Sequence, residues 1–252
     1  MTADLSTDPI RSDVDTGVAT VTLGNGRRRN ALTRAAWVSL ENVVTRLGAD
    51  PAVRVIVVRG RGGTFCAGSD LTEWAGADAD LVENSFARME SAFRAVEQCR
   101  IPVVAAITGV AAGAGCQLAL ACDLRFMADS AQIGMPIARH GILASPAFAA
   151  RLSTLAGPGL ARELLYTGRL LDGRTAASAG LVNRSCADEL LDAEVERLAA
   201  KIGSLPGIAV RAAKQAVAAA LAPIHAATAH QPTPAVSLPE FHASVAAFTA
   251  VH

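Results

Sequence analysis

Aromatic side chains, net charge and cysteine pairs are scarce or absent in this 252-residue sequence. Phe, Trp and Tyr make up 4% of it, so its core must be built mainly from Ala, Val, Leu and Ile. Lys plus Arg (23) balance Asp plus Glu (23), which gives no electrostatic reason to expect nucleic acid or an anionic membrane as a partner. Hydrophobic residues reach 51%, and this excludes the intrinsically disordered class.

The cysteines form no C-x-x-C pair, their number is odd, and no histidine lies at zinc-ligand spacing from them (Cys66, Cys99, Cys116, Cys122 and Cys186). We therefore predict buried, reduced thiols in a cytoplasmic protein rather than a disulfide framework. The N-terminal stretch is acidic without an apolar run, so we expect no signal peptide. The uncharged run 101–122 is interrupted by Pro102 and several glycines, and we interpret it as a buried strand, a turn and a helix rather than a membrane span.

Strand–turn–helix units predict an α/β fold. VRVIVVRG (53–60) and VVAAI (103–107) are continuous apolar runs, typical of strands that are buried on both faces. Apolar residues at helical spacing follow each run, over 82–96 and up to Cys122. Such units favour a parallel sheet with right-handed crossovers. Alternation predicts a further strand over Val18 to Leu23, and a helix is expected to begin near Thr33.

The chain is mostly helical in pattern after Pro146, with a break near 205–207. We predict a core with its following helices over residues 1–204, and a C-terminal helical region and tail over residues 205–252. The last thirty residues hold four prolines and four histidines: His225, His230, His242 and His252. A metal site is one interpretation, but the histidine spacing fits no helical ligand pair. The alternative is an extended, loosely packed tail or oligomer arm.

Glycine-rich segments carry the chemical signal. RRRNAL (27–32) fits a solvated loop or a contact for a phosphate-bearing ligand. GGTFCAGSDL (62–71) can turn free N–H groups toward a ligand, yet it matches neither a P-loop nor the dinucleotide G-x-G-x-x-G. In AAITGVAAGAGCQLALACDL (105–124) a helix begins directly after glycines. Its first N–H groups would stabilise an oxygen that develops negative charge. Close helix–sheet packing explains the same glycines, and both interpretations stay open.

In this order, the three segments resemble the enoyl-CoA hydratase/isomerase (crotonase) superfamily. The resemblance continues through AQIGMP (131–136), ELLYTGRLLDGRTAASAGLVN (163–183) and AVRAAKQAV (209–217), and it covers roughly residues 15–221. It implies a crotonase-like spiral of ββα units with a helical C-terminal region that builds trimers or paired trimers. It also implies acyl-CoA thioesters as ligands in fatty acid metabolism. Coenzyme A would enter as part of the substrate, and no metal, nicotinamide or flavin site is indicated.

The resemblance also assigns roles to particular positions. Two backbone N–H groups that stabilise a thioester enolate fall on Ser69 and Ala114. The remaining ligand-binding positions that it implies are Arg29, Ala31, Leu32, Ala67, Asp70, Leu71 and Gly113. For Asp70 a turn or structural carboxylate is the alternative interpretation.

The catalytic positions depart from the family pattern. Hydratases of this family use two glutamates, and this sequence has Gln117 and Ile137 at those positions. Neither side chain can exchange a proton near neutral pH, so hydration by that route is not expected. His140 is the most interesting replacement, because its pKa suits proton transfer, although a lone histidine before a glycine is also a common packing residue. Isomerisation needs one proton shuttle, and hydrolysis stays open.

Other polar residues near these motifs are weaker candidates for catalysis: Cys66, Glu73, Glu83, Glu90, Cys116 and Ser145. Surface or core placement is the alternative for each of them. The sequence therefore leaves two hypotheses: an enzyme that acts on an acyl-CoA through an enolate, and a crotonase scaffold that binds acyl-CoA without turning it over.

Overall fold

The main sheet has six strands in the order β1-β2-β3-β4-β6-β9. The computed structural model describes residues 8–24, 26–229 and 234–251. β1 runs antiparallel to β2, and the other neighbouring strands are parallel. Their bounds are Ile10–Asp15 for β1, Val18–Leu23 for β2, Val55–Gly60 for β3, Val103–Ile107 for β4, Leu124–Ala128 for β6 and Arg184–Cys186 for β9. The parallel centre of this sheet confirms the predicted α/β class and the predicted strands β2, β3 and β4.

A smaller sheet has the order β5-β7-β8. β5 (Val110–Ala112) pairs in parallel with β7 (Gln132–Gly134), and β7 pairs antiparallel with β8 (Leu170–Asp172). We did not predict these strands, nor β1, β6 and β9. β5, β7, β8 and β9 have three residues each, which is too few to show an alternating pattern, so the hydrophobic sequence carries no signal for these four strands.

Helices surround the sheets, and four of them begin at a residue whose side chain caps the first turn. The hydroxyl of Thr33 accepts the N–H of Ala36 at the start of α1, and Asp78 caps α2 through the N–H of Leu81. The helices are α1 (Arg34–Ala49), α2 (Ala79–Glu97), α3 (Ala114–Ala121), α4 (Pro146–Thr167, kinked at Gly157), α5 (Gly173–Ser178), α6 (Leu191–Ser204), α7 (Gly207–Ala229) and α8 (Leu238–Val251). The predicted break near 205–207 is confirmed, whereas a domain boundary at that point stays a prediction.

The core lies between the main sheet and the helices that cover it. All five residues of β4 are buried, as are the first four of β3. Trp37 on α1 meets Phe93 on α2 edge to face, with ring centroids 5.4 Å apart. Because few large side chains are available, small ones fill much of the rest, and the layers approach closely.

The C-terminal segment is not an extended, loosely packed tail, and that prediction was wrong for the described residues. α7 continues through Pro223 to Ala229, and α8 folds back onto the core. Phe241 is fully buried, and its ring lies 5.3 Å from that of Trp74. The alanine-rich sequence favours helix strongly enough to outweigh its prolines. His230 and His252 lie outside the described residues, and we find no metal-ligating cluster in the described part of the chain.

α7 is an exposed apolar helix. Its stretch Gly207–Thr228 is long and apolar enough to span a membrane by length and composition, and none of it is buried within the chain. Lys214 nevertheless ties the helix to the core through an ion pair of 2.7 Å with Asp123. Val217 and Ile224 are left 62% and 42% exposed. Two turns apart, they lie on the same side of the helix.

Arg151 joins three helices at a buried point. Its guanidinium donates to the carboxylates of Glu90 (2.8 and 2.9 Å) and Glu97 (2.7 and 3.2 Å) on α2, and to Gln117 Oε1 on α3 (3.4 Å). It also lies over the Phe93 ring, 5.4 Å from the centroid. Burial acts to lower the pKa of Arg151, but hydrogen bonds to the two glutamates outweigh it and raise that pKa above its ordinary value. The cation therefore stays charged and holds α4 against α2.

We expect Arg151→Met to lower the free energy of unfolding by about 3–5 kcal/mol, because it leaves two half-buried carboxylates without their cation. Chemical denaturation followed by circular dichroism measures this. The matched control is Arg94→Gln, which removes a second, 45% exposed arginine from the same Glu90 and should cost less than about 1 kcal/mol. Equal losses in the two variants would contradict a special role for the buried cation.

Candidate active site

A cavity of about 410 Å³ lies where the arginine-rich loop, the start of α3, the 136–142 turn and α8 meet. Its wall is mostly apolar and aromatic, which is the usual character of a small-molecule site. The lining residues are Arg28, Arg29, Ala31, Ala67, Gly68, Ser69, Asp70, Leu71, Trp74, Phe86, Met89, Gly113, Ala114, Pro136, Ile137, His140, Ile142, Phe148 and Phe248.

The N–H of Ser69 is free to meet a ligand because of how this segment pairs. Leu32 donates to the carbonyl of Gly68 (2.8 Å), and its own carbonyl accepts the N–H of Asp70 (2.9 Å). In this parallel bridge between Leu32 and Ser69, alternation of the extended chain turns the Ser69 N–H to the opposite side. The N–H groups of Gly68 and Asp70 are engaged, by Cys66 Sγ (3.4 Å) and by the Leu32 carbonyl, whereas the Ser69 N–H has no acceptor among the described residues.

The side chain of Ser69 is also engaged in hydrogen bonds. The indole N–H of Trp37 donates to its Oγ (3.1 Å), and its hydroxyl donates to Met89 Sδ (2.7 Å). These contacts hold the Ser69 side chain against Trp37 and Met89, so Ser69 presents its backbone rather than its side chain to a ligand.

The second free N–H belongs to Ala114, the first residue of α3. An N–H at this position has no intrahelical acceptor and carries the positive end of the helix dipole. Gly113 sets the turn with φ 54° and ψ −120°, a conformation open to glycine. A methyl group on Gly68 would lie 3.3 Å from Ala114 N and 3.0 Å from Ala112 O. The missing side chain of Gly68 is therefore what lets the two cavity-facing segments approach.

The arginine-rich loop forms one edge of the cavity in an unusual backbone conformation. Arg28, Arg29 and Asn30 have successive φ values of 46°, 52° and 56°. The buried Asn30 amide donates to the carbonyls of Arg61 (2.8 Å) and Thr64 (2.6 Å) and accepts the N–H of Gly26. These bonds offset the cost of three left-handed residues and hold the two arginines at the cavity.

Asp70 is a structural carboxylate, which was one of its two predicted roles. It accepts from the N–H and hydroxyl of Thr72 (3.0 and 2.7 Å) and from Arg28 Nη1 (2.7 Å). Burial acts to raise the pKa of Asp70, but these hydrogen bonds outweigh it and hold that pKa below its ordinary value. Asp70 thus stays ionised and paired, and it is therefore poorly suited to proton transfer near neutral pH.

Most predicted ligand-binding positions line the cavity, namely Arg29, Ala31, Ala67, Asp70, Leu71 and Gly113. Leu32 does not, and we correct that prediction. It is fully buried in the core, and it serves the site through its two backbone hydrogen bonds.

The structure also corrects the prediction that placed Gln117 among the catalytic positions. It is fully buried and does not line the cavity. Its amide donates weakly toward the carbonyl of Phe148 (3.5 Å), and its oxygen accepts from Arg151 (3.4 Å). Phe148 lines the cavity, while Gln117 faces the Arg151 cluster.

Ile137 and His140 both line the cavity, one with an apolar side chain and one with an imidazole. They lie on the short 3-10 turn Pro136–His140, which ends at Gly141 with φ 63°. His140 is half-buried, and its Nδ1 lies 2.7 Å from the hydroxyl of Ser244 on α8. Burial, and then the charge of Arg139, lower the pKa of His140. The imidazole is therefore neutral at pH 7 and able to accept a proton.

The weaker candidates have structural partners away from the cavity. Glu73 accepts the N–H of Arg34 and Glu83 that of Ala235, while Glu90 binds Arg151. The Ser145 hydroxyl caps α4 by accepting the N–H of Phe148. Burial raises the pKa values of Cys66 and Cys116 to about 12 each, so these thiols are protonated core residues rather than nucleophiles.

Sequence reasoning missed the residues that shape the apolar wall, among them Trp74, Phe86, Phe148 and Phe248. Each lies at an ordinary apolar position of its own segment. Nothing in such a pattern distinguishes a core position from a cavity position.

Comparison with known proteins identifies the family to which this chain belongs. The sequence profile described as enoyl-CoA hydratase/isomerase matches residues 13–236. A crotonyl-CoA hydratase from Syntrophomonas wolfei is 34% identical over 200 residues, covering 79% of this chain and 77% of that protein.

Solved structures agree with this match. One of an enoyl-CoA hydratase/isomerase from Mycobacterium paratuberculosis superposes with a TM-score of 0.87 at 29% identity, over 97% of this chain and 100% of that one. An enoyl-CoA hydratase from Bacillus anthracis gives a TM-score of 0.79 at 37% identity, over 83% and 82% of the two chains.

Proposed function

Because the chain belongs to the enoyl-CoA hydratase/isomerase family, we propose that it binds an acyl-CoA thioester and stabilises its enolate on the N–H groups of Ser69 and Ala114. The observation that carries this proposal is the pair of unengaged amides brought by two distant segments to one apolar cavity. Removal of a proton next to a thioester carbonyl moves negative charge onto the carbonyl oxygen. Two donors aimed at that oxygen stabilise the charge, and one such donor contributes about 2.7–4 kcal/mol.

The nucleotide end of the ligand is assigned to the arginine-rich loop. Guanidinium groups bind phosphate oxygens with charge-assisted, paired hydrogen bonds. Arg28 is already held by Asp70, so Arg29, which has no side-chain ion pair within the described residues, is the better donor for phosphate. Coenzyme A arrives and leaves as part of the substrate, and the five unpaired cysteines suit a reducing, cytoplasmic setting.

We propose proton transfer, with double-bond isomerisation as its result, rather than two-carboxylate hydration. Hydration needs an acid and a base beside a bound water. Of the two positions concerned, Ile137 presents an apolar side chain, and Gln117 lies outside the cavity. Among the described lining residues, the neutral His140 is the group that suits a proton shuttle.

In the proposed reaction His140 accepts the α-proton of a β,γ-unsaturated thioester, and the C–H electron pair moves toward the carbonyl oxygen. The resulting dienolate is held by Ser69 and Ala114. The imidazolium then returns the proton to the γ-carbon while the electrons reform the thioester carbonyl. The double bond has moved, and no oxidant, metal or water is consumed.

A second candidate function is acyl-CoA binding without turnover. The apolar side chain of Ile137 at a position where the family has an acid favours it. The two free N–H groups would also orient a bound thioester that does not react. The tests below separate the two functions.

The first test replaces Ala114 by Pro, which removes one N–H at a helix position that accommodates proline. We expect an isomerisation rate reduced by roughly 10²–10³-fold, the usual cost of one oxyanion donor. The assay is mass spectrometry and NMR of a panel of saturated, α,β- and β,γ-unsaturated acyl-CoAs incubated with the protein in D₂O.

Ala114→Ser keeps the N–H and is the matched control, which should retain activity. A product heavier by one water, lost in the proline variant, would overturn the isomerase proposal in favour of hydration. Released coenzyme A would indicate hydrolysis. If the wild-type protein binds acyl-CoA but returns the whole panel unchanged and without deuterium, the binding function replaces the enzymatic one.

The second test replaces His140 by Asn, a residue of similar shape that cannot carry a proton. Loss of a general base should slow exchange and isomerisation by roughly 10²–10⁴-fold. Since the base works in its neutral form, the wild-type rate should be constant at higher pH and fall as pH drops through the lowered His140 pKa, below its ordinary value of 6.5. An unchanged acidic limb in the variant would contradict the assignment.

The third test concerns self-association. We propose that the exposed apolar side of α7 meets other copies of the chain in a trimer or a pair of trimers, since Val217 and Ile224 lie open on it. Val217→Glu should shift the mass measured by light scattering to a smaller species. Gln215→Glu adds the same charge to the same helix at another exposed position and should leave the mass unchanged. A monomeric wild-type protein would overturn the proposal.

A further inference from the structure

A serine of the C-terminal helix touches the proposed base. His140 and Ser244 are 104 residues apart in sequence, yet His140 Nδ1 and Ser244 Oγ are 2.7 Å apart. The other ring nitrogen, Nε2, has no hydrogen-bond partner among the described residues. One side of the imidazole is therefore engaged, while the residue as a whole lines the cavity.

The position of Ser244 is set by contacts that anchor the segment before it. Ser237 donates its N–H to the carbonyl of Gly141 (2.8 Å), and Leu143 donates to that of Ala235 (2.9 Å). The Glu83 carboxylate accepts the N–H of Ala235 (2.7 Å). At Gly141 a side chain would lie 2.8 Å from Glu240 Cβ. α8 thus packs directly on the end of the turn that carries His140.

The hydroxyl of Ser244 is available to the imidazole. Thr249 on the same helix bonds back to the carbonyl of Val245 (3.0 Å), as hydroxyl residues inside helices often do. Ser244 makes no such bond in the described structure and has His140 as its partner. A hydroxyl can donate to Nδ1 or accept from Nδ1–H, and where it accepts, Nε2 carries the lone pair.

We propose that Ser244 is a positioning residue for His140, whose Nδ1–H it accepts so that Nε2 is the basic atom presented to the acyl group. This inference rests on the proposed function, because it assigns the atom that moves the proton. It also makes α8 part of the active site. The C-terminal segment would then supply two things, an apolar wall through Phe248 and the orientation of the base.

Charged groups near the pair come from each neighbouring element. Arg139 lies on the same turn, and its charge disfavours the imidazolium. Glu240 on α8 lies beside Gly141, and its carboxylate is bound by the hydroxyl of Ser237. Across the cavity, Asp70 is paired with Arg28. Since these carboxylates are engaged elsewhere, the hydroxyl of Ser244 is the described side-chain group in hydrogen-bond contact with the imidazole.

The tautomer can be measured without turnover. Long-range ¹H–¹⁵N NMR of protein labelled at histidine nitrogens distinguishes Nδ1–H from Nε2–H, and His140→Asn identifies the His140 signals. Above the His140 pKa we expect Nδ1–H in the wild-type protein and a shift toward Nε2–H in Ser244→Ala. An Nε2–H tautomer in the wild-type protein, or an unchanged tautomer in Ser244→Ala, would overturn the inference.

Kinetics supply the second readout. Loss of one hydrogen bond should lower the plateau rate of Ser244→Ala about tenfold. The acidic limb should move to lower pH, because the imidazolium loses a charge-assisted bond to oxygen. Ser244→Thr keeps the hydroxyl and should show the wild-type plateau rate and acidic limb. Thr249→Ala, five residues further along α8, should change neither quantity.

The two proposals fail in different ways. A wild-type protein that turns over no substrate but shows the Nδ1–H tautomer, sensitive to Ser244→Ala, would end the isomerase proposal and leave the pairing of the two side chains standing. An active enzyme whose plateau rate and pH profile are the same in Ser244→Ala would end the positioning role instead.

Discussion

The backbone of Cys66 lies directly against the first turn of α3, and the site depends on this contact. Its carbonyl accepts the N–H of Ala112 (3.1 Å), and its N–H donates to the carbonyl of Val110 (2.9 Å). A side chain on Gly115 would be 2.0 Å from the same carbonyl oxygen. Any residue larger than glycine there would push the helix away, and the N–H groups of Ser69 and Ala114 would separate. Close packing of bare backbone thus places two N–H groups in the wall of a mostly apolar cavity.

Ionisable side chains are arranged so that few of them reach that cavity. Glu90 and Glu97 are bound by Arg151, Asp70 is bound by Arg28, and Glu83 holds the C-terminal segment. Each carboxylate has a structural partner, and in a low-dielectric wall such partners keep it charged and in place. Among the described lining residues, His140 is the neutral titratable side chain in the same cavity as the N–H groups of Ser69 and Ala114, as the proposed proton transfer requires.

The C-terminal segment completes this arrangement. α8 contributes Phe248 to the cavity wall, buries Phe241 against Trp74, and brings Ser244 to His140. A chain that ended with α7 would lack one wall of the cavity and the partner of the proposed base. The site is therefore assembled from residues that are more than 100 positions apart in sequence.

The sequence alone determined the α/β class, the buried strands β3 and β4, and the helix boundaries near Thr33 and 205–207. These depend on local patterns, namely apolar periodicity, capping residues and glycines between a strand and a helix. Tertiary structure decided the rest. Packing placed Leu32 and Gln117 in the core instead of at the cavity wall, since position along the chain does not reveal which neighbour covers a side chain. It also turned a proline- and histidine-rich terminus into a docked helix, because burial of Phe241 and the contact of Ser244 with His140 exist only between distant segments.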